Sequence, residues 1–162
     1  MRNFIFLIIF SLLILLMVFI FDSFLIDTIF IENKLVINEY MSSNNTILQD
    51  NEYNYSDWIE IYNGSSFPVQ LKGYGLSDDY NNPLKWRFPD ITLEPDSYII
   101  VFASGNPNST EIDYSKDIAI IHTSFKLGPN DISIVLATQK GEIIDQISLL
   151  NLNSDESYGR DP

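Results

Sequence analysis

The sequence predicts an all-β sandwich of about nine strands behind one N-terminal transmembrane helix. Three observations predict it. Residues 4–21 (FIFLIIFSLLILLMVFIF) form an 18-residue run without a charge. From residue 35 onward, short apolar runs alternate with turn signals at close spacing, the pattern of an antiparallel β domain. Beyond residue 27 no apolar stripe of period 3.6 is present, so the exported part holds no amphipathic helix.

As a helix the first run rises about 27 Å, close to the ~30 Å hydrocarbon core of a bilayer. A single helix satisfies every backbone polar group internally, as lipid demands. The run is longer than the apolar centre of a secretory signal, about 7–15 residues, and no Ala-x-Ala-like triplet follows it at Phe21-Asp22-Ser23. An uncleaved signal anchor is the expectation, with cleavage near Ser23 as the alternative. The chain has no cysteine, which closes the lipoprotein route and excludes a disulfide framework. Arg2 precedes the run, whereas Asp22, Asp27 and Glu32 come before the next cation, Lys34. The positive-inside rule then keeps the N-terminus cytoplasmic and residues 22–162 extracytoplasmic. The expected division is 1–21 transmembrane signal anchor, 22–34 stalk, 35–150 sandwich domain and 151–162 C-terminal tail.

The strands follow in order. Residues 35–40 (LVINEY) are the first, and the Asn-rich stretch 41–55 is a long loop. Residues 58–62 (WIEIY) are the second, closed by the turn Asn63-Gly64. Residues 67–71 form a short strand with Pro68 at its start or on an edge. Residues 74–77 are the fourth strand, 78–83 (DDYNNP) a turn, and 84–88 a strand ended by Pro89. Residues 97–103 (SYIIVFA) are the most hydrophobic strand and should be central, and 105–117 read as a second polar loop. Residues 118–122, 132–137 and 143–149 complete the set, the last two joined by a Gln139-Lys140-Gly141-Glu142 hairpin with Gly141 free to take positive φ.

The order of motifs carries a family resemblance. Ile37-Asn38-Glu39-Tyr40 opens the series, followed by Ser56-Asp57-Trp58-Ile59-Glu60-Ile61-Tyr62-Asn63 and Leu71-Lys72-Gly73-Tyr74-Gly75-Leu76-Ser77-Asp78. Lys85-Trp86-Arg87-Phe88-Pro89, Ile99-Ile100-Val101-Phe102-Ala103-Ser104-Gly105, His122-Thr123-Ser124-Phe125-Lys126-Leu127 and Ser157-Tyr158-Gly159-Arg160 complete it. In order and spacing these resemble the lamin tail domain in its prokaryotic exported form. The resemblance implies an immunoglobulin-like β-sandwich that recognises or tethers and performs no chemistry. It implies no cofactor, and a module that accompanies exported nucleases, phosphatases or CotH-type kinases. The chain would then be either a stand-alone anchored domain or the front of a larger exported enzyme. No coiled-coil rod is present in the sequence, so filament formation is not implied.

Charge narrows the partners. All 22 acidic residues and 8 of the 9 basic ones follow Phe21, leaving that part at −14. Such a field repels nucleic acid and anionic headgroups. The expected partners are the membrane, through the N-terminal helix, and a protein or glycan of the envelope. No catalytic, cofactor-binding or metal residue is assigned. His122 is the sole histidine, and no Gly-x-Ser-x-Gly, His-Glu-x-x-His or cysteine accompanies it, so it is read as structural. Asp57, Glu60, Asp78 and Asp79 are read as a solvated face, with loop Ca²⁺ ligation as the competing reading. Trp86 is read as core. Trp58 is also read as core; the alternative is exposure on the strand face opposite Ile59 and Ile61, which would make it a candidate partner anchor. Arg87 is expected in an ion pair or stacked on an aromatic ring. Gly73, Gly75 and Gly128 are expected to serve tight backbone geometry. Asn-x-Ser/Thr triplets begin at Asn44, Asn54, Asn63 and Asn108, and chance in an Asn-rich chain accounts for them.

Overall fold

The computed structural model describes residues 13–17, 35–116 and 118–160. Residues 13–17 are helical and exposed. The rest of the expected span at 4–21, and the expected stalk at 22–34, lie outside the described residues. Among the described residues no helix is long and apolar enough to cross a membrane.

The remainder is all-β. Twelve strands run in chain order: β1 (Leu35–Met41), β2 (Trp58–Asn63), β3 (Val69–Gln70), β4 (Gly75–Ser77), β5 (Trp86–Arg87), β6 (Thr92–Leu93), β7 (Ser97–Phe102), β8 (Glu111–Asp113), β9 (Ile118–His122), β10 (Ser133–Ala137), β11 (Ile143–Ser148) and β12 (Tyr158–Gly159). The nine expected strands are all present, and β7 is central as expected. Three more appear. β6 and β8 are short and carry one apolar side chain each, too few to make a period-2 signal. β8 corrects the reading of 105–117 as loop alone. β12 lies in the segment expected as a tail and pairs with β1 through Glu39↔Gly159 and Tyr40↔Tyr158.

A six-stranded mixed sheet has the order β12-β1-β2-β7-β9-β8, and a four-stranded sheet the order β11-β10-β4-β5. A small third sheet joins β3 to β6. Period-2 alternation explains the packing between the two large sheets. Leu35, Ile37, Tyr40, Ile59, Ile61, Val101 and Ile121 point inward from the first, and Leu76, Trp86, Ile134, Leu136 and Ile147 from the second. They form one contiguous core, so the two sheets make a sandwich.

Polar groups lock its edges. Asp145 on β11 accepts the Ile37 N–H at 2.7 Å and a bidentate pair of bonds from Arg160 at 2.7 and 3.0 Å. Arg160 also donates to the Gln146 carbonyl, and its own N–H donates to the Asn38 carbonyl. The Tyr40 hydroxyl accepts the Leu150 N–H at 2.8 Å. Single backbone groups on and beside β1 and β11 are thus taken by side chains.

Gly75 and Gly141 are the glycines whose geometry the fold requires. A Cβ on Gly75 would lie 2.2 Å from the Pro83 carbonyl oxygen, and Gly141 sits at φ +87° in the β10–β11 hairpin.

Candidate functional site

The outer face of the six-stranded sheet carries a second, smaller apolar cluster. Met41, Trp58 and Phe102 are buried there, with Leu48, Ile100 and Ile120 packed around them. Trp58 therefore points away from Ile59 and Ile61, as alternation permits, yet it is only 7% exposed because the 42–57 loop covers it. Its indole Nε1 is buried without a hydrogen-bond partner. Trp86 belongs to the main core and meets Phe88 edge-on at 4.8 Å.

One side chain holds the covering loop. Asn44 is buried, donates from Nδ2 to the Leu48 and Ser56 carbonyls at 2.7 and 2.8 Å, and accepts the Ile47 and Leu48 N–H groups through Oδ1. Asp57 accepts the Asn44 N–H at 3.0 Å, and partial burial pushes its carboxyl above the usual range. From the C-terminal segment, Asp155 accepts the Asn45 and Thr46 N–H groups and the Thr46 hydroxyl, and these bonds lower its pKa. Asn63 performs the equivalent task after β2, donating to the Phe67, Leu93 and Glu94 carbonyls. Two of the four Asn-x-Ser/Thr triplets are therefore structural, while Asn54 and Asn108 are exposed.

His122 lies beside this loop and is fully buried. Its Nε2 faces Asn51 Oδ1 at 2.8 Å and its Nδ1 faces Ser104 Oγ at 2.9 Å. Asn51 Nδ2 donates to the Ser109 carbonyl, so Oδ1 is the acceptor and Nε2 carries the proton. Burial holds the pKa below the ordinary value, and the Asp50 and Glu52 charges oppose that shift. Both nitrogens are engaged, and Ser104 Oγ also accepts the Asn106 N–H. The chain of bonds pins the 42–57 loop to β9 and leaves the imidazole no contact with solvent.

The other singled-out residues are dispersed. Glu60 accepts from Asn38 on the outer face, Asp78 pairs with Lys85 at 2.6 Å, and the Asp79 carboxylate accepts the Asn81 N–H. Among the described residues no group of three or more acidic or histidine side chains is placed to hold a metal ion. Arg87 corrects its expectation. It donates to the Gly73 and Gln139 carbonyls at 2.9 and 3.1 Å, and the cation facing a ring is Lys85, 5.6 Å from the centre of Phe125. The donor atoms of a guanidinium fan out in one plane, which suits two diverging carbonyls as well as a carboxylate. Gly73 lies at φ +80°, and the Gly128 N–H donates to Asp131.

Next to the Trp58 cluster a groove of about 910 Å³ opens on the same face. Its cause is topological. β7 pairs with β2 along all six residues but with β9, in parallel, only at Val101 and Phe102. Below that point β9 turns to pair with β8 through Ile118, Ala119 and Ile120. The sheet splits, and the groove lies between Ser97–Ile100 on one side and Ile118–Ile120 on the other. Ile91 to Glu94 and Tyr114 also line it. Tyr98 is half exposed and stacks on Tyr62 at 4.6 Å, and the Tyr114 hydroxyl is anchored on the Asp90 carbonyl. The charged residues lining the groove are Asp50, Glu60 and Glu94, with no lysine, arginine or histidine among the described ones. Sequence reasoning missed this groove. Its trace is that Ile100, Phe102, Ile118 and Ile120 occupy positions a one-faced strand would leave polar.

With this geometry in hand, comparison with known families is decisive. The Lamin Tail Domain family model matches residues 31–150. The chain belongs to the lamin tail domain family. That match spans every strand from β1 to β11, and the family is a non-catalytic, immunoglobulin-like domain that often mediates interactions. A comparison with curated proteins finds no match.

Proposed function

We propose that this lamin tail domain is a non-enzymatic interaction module, held at the membrane by residues 4–21 and facing the extracytoplasmic side, where it tethers a protein or glycan of the envelope. The observation that carries the reading is the split in the six-stranded sheet. It leaves an open apolar groove with tyrosine walls and an acidic rim, where a plain sandwich would present a continuous sheet. Large aromatic side chains beside a pocket are the usual anchors of recognition. The uncharged run at 4–21 and the charge asymmetry around it support the membrane half of the reading.

Cell fractionation combined with site-specific photocrosslinking tests it. The chain is expected in the membrane fraction, resistant to carbonate and released by detergent, and deletion of residues 4–21 is expected to move it out of that fraction. A photoreactive group at Tyr98 is expected to give an adduct with an envelope component, while the same group at Tyr80, exposed on the 78–83 turn, gives none. Recovery of the intact chain in the soluble fraction, or identical adducts from both positions, would count against the proposal.

A further inference from the structure

The split sheet also restricts what can enter it. Ala103 N–H donates to the Asp57 carbonyl on the β2 side, and Thr123 N–H donates to the Phe102 carbonyl across the β7–β9 pair. Ladder bonds alternate from one side of a strand to the other. On β7 the even-numbered residues therefore turn their backbone groups toward β9, and Tyr98 aims its N–H and C=O into the groove. On β9 the same alternation, counted back from Thr123 through Ile121, aims the N–H and C=O of Ala119 into it from the other side. Among the described residues no pairing joins these two positions, because β7 and β9 meet only at Val101 and Phe102. The groove is thus bounded by two strand edges that run parallel to each other, both carrying free donors and acceptors. Near β1 and β11, by contrast, side chains take backbone groups: Asp145 the Ile37 N–H, Arg160 the Gln146 carbonyl and Tyr40 the Leu150 N–H.

We infer that the groove accepts an extended peptide segment of a partner protein, inserted as a strand between β7 and β9, with basic side chains among apolar ones. This rests on the interaction-module reading and names the partner class for that site. Strand addition draws its affinity from main-chain hydrogen bonds and its specificity from alternate side chains. Tyr98, Ile100, Ile118 and Ile120 offer apolar contacts to one set of alternating residues. Glu94, exposed, and Glu60, half-buried, offer charge complementarity to lysine or arginine in the sequence that enters. A glycan could use the tyrosines but would leave the two backbone edges unmatched along their length.

The test uses the full chain in detergent micelles and three octapeptides: Lys-Val repeated four times, the same peptide N-methylated at alternate residues, and Glu-Val repeated four times. Dissociation constants are measured by fluorescence anisotropy, and amide shifts by NMR. The Lys-Val peptide is expected to bind and to move the Tyr98 and Ala119 amides. N-methylation in the register that removes the ladder donors is expected to weaken binding at least tenfold, and the Glu-Val peptide at least tenfold. The substitution Glu94→Lys, at an exposed position, is expected to weaken the Lys-Val peptide several-fold while leaving the rest of the amide spectrum in place. Equal affinity for all three peptides, no binding by any, or shifts of the same amides by a chito-oligosaccharide in place of the peptide would each overturn the inference. A Tyr98 crosslink to an envelope component with no peptide binding would sink strand insertion alone and leave the tethering role standing.

Discussion

The two faces of the six-stranded sheet are built from the same strands and buried by different means. On the inner face a second sheet supplies a matching apolar surface, so Ile59, Ile61, Val101 and Ile121 are wholly excluded from water. On the outer face Trp58 and Phe102 are covered by a loop and Ile100 only in part, and beyond the loop the sheet opens into a groove. Burial against a sheet is distributed over many contacts. Burial under a loop depends on whatever holds the loop, here Asn44, Asp155 and the His122 chain. The inner face carries the fold, and the loop-covered outer face adjoins the groove between β7 and β9.

Substitutions can break this contrast at graded strength. Ile61→Ala or Leu136→Ala empties a fully buried site and is expected to cost about 2–5 kcal/mol in chemical denaturation. Removing the cover should cost less. Asn44→Ala deletes both the donors and the acceptor that order the loop and is expected to cost about 1–3 kcal/mol. Its signature is selective: Trp58 fluorescence shifts to the red while Trp86, measured in a Trp58→Phe background, stays blue. If both tryptophans shift together, the outer cluster is not a separable layer. Asp145→Ala breaks the ion pair that ties β1, β11 and the chain after β12, with an expected loss of about 1–3 kcal/mol. Because that pair is on the opposite edge from the groove, peptide binding should be unchanged.

Two smaller effects depend on pH. The folded state holds the His122 pKa below its unfolded value, so the unfolded chain binds the extra proton more readily. His122 therefore imposes no penalty above about pH 6.5, and stability falls as pH drops from there toward the lowered folded pKa. The decline is expected to flatten in His122→Gln, as followed by denaturation midpoints between pH 7.5 and 5. Asp57 runs the other way. Its folded pKa is raised by burial, so its contribution is favourable when protonated and is lost as pH rises through that value. Asp57→Asn keeps an acceptor for the Asn44 N–H and is expected to raise stability at pH 7 by a few tenths of a kcal/mol, an order typical of exposed to half-buried sites.

Much of this was legible in the chain. Nine strands could be placed because each carries enough β-branched and aromatic residues to show its period, and Gly141 was readable because its hairpin needs positive φ. Parity allows Trp58 the face opposite Ile59, and its place in the outer cluster corrects the reading of it as core between the sheets. Its cover was not legible, because Leu48 and Asn44 lie in a segment with no apolar rhythm, and only folding brings them over the indole. Arg87 misled for a related reason: its carbonyl partners, Gly73 and Gln139, are 14 and 52 residues away, and a backbone oxygen leaves no mark in sequence.

The sequence by itself determined the all-β class, the order of the main strands, the family and the acidic character of the domain, because these follow from local periodicity, turn chemistry and composition. The tertiary structure alone decided where the sheet splits. That depends on β9 leaving β7 to pair with a three-residue strand, β8, whose single isoleucine gives no period to read. Strand pairing is a long-range choice made by backbone hydrogen bonds that every residue can offer, so the place where pairing stops, and a groove begins, is fixed only when the chain has folded.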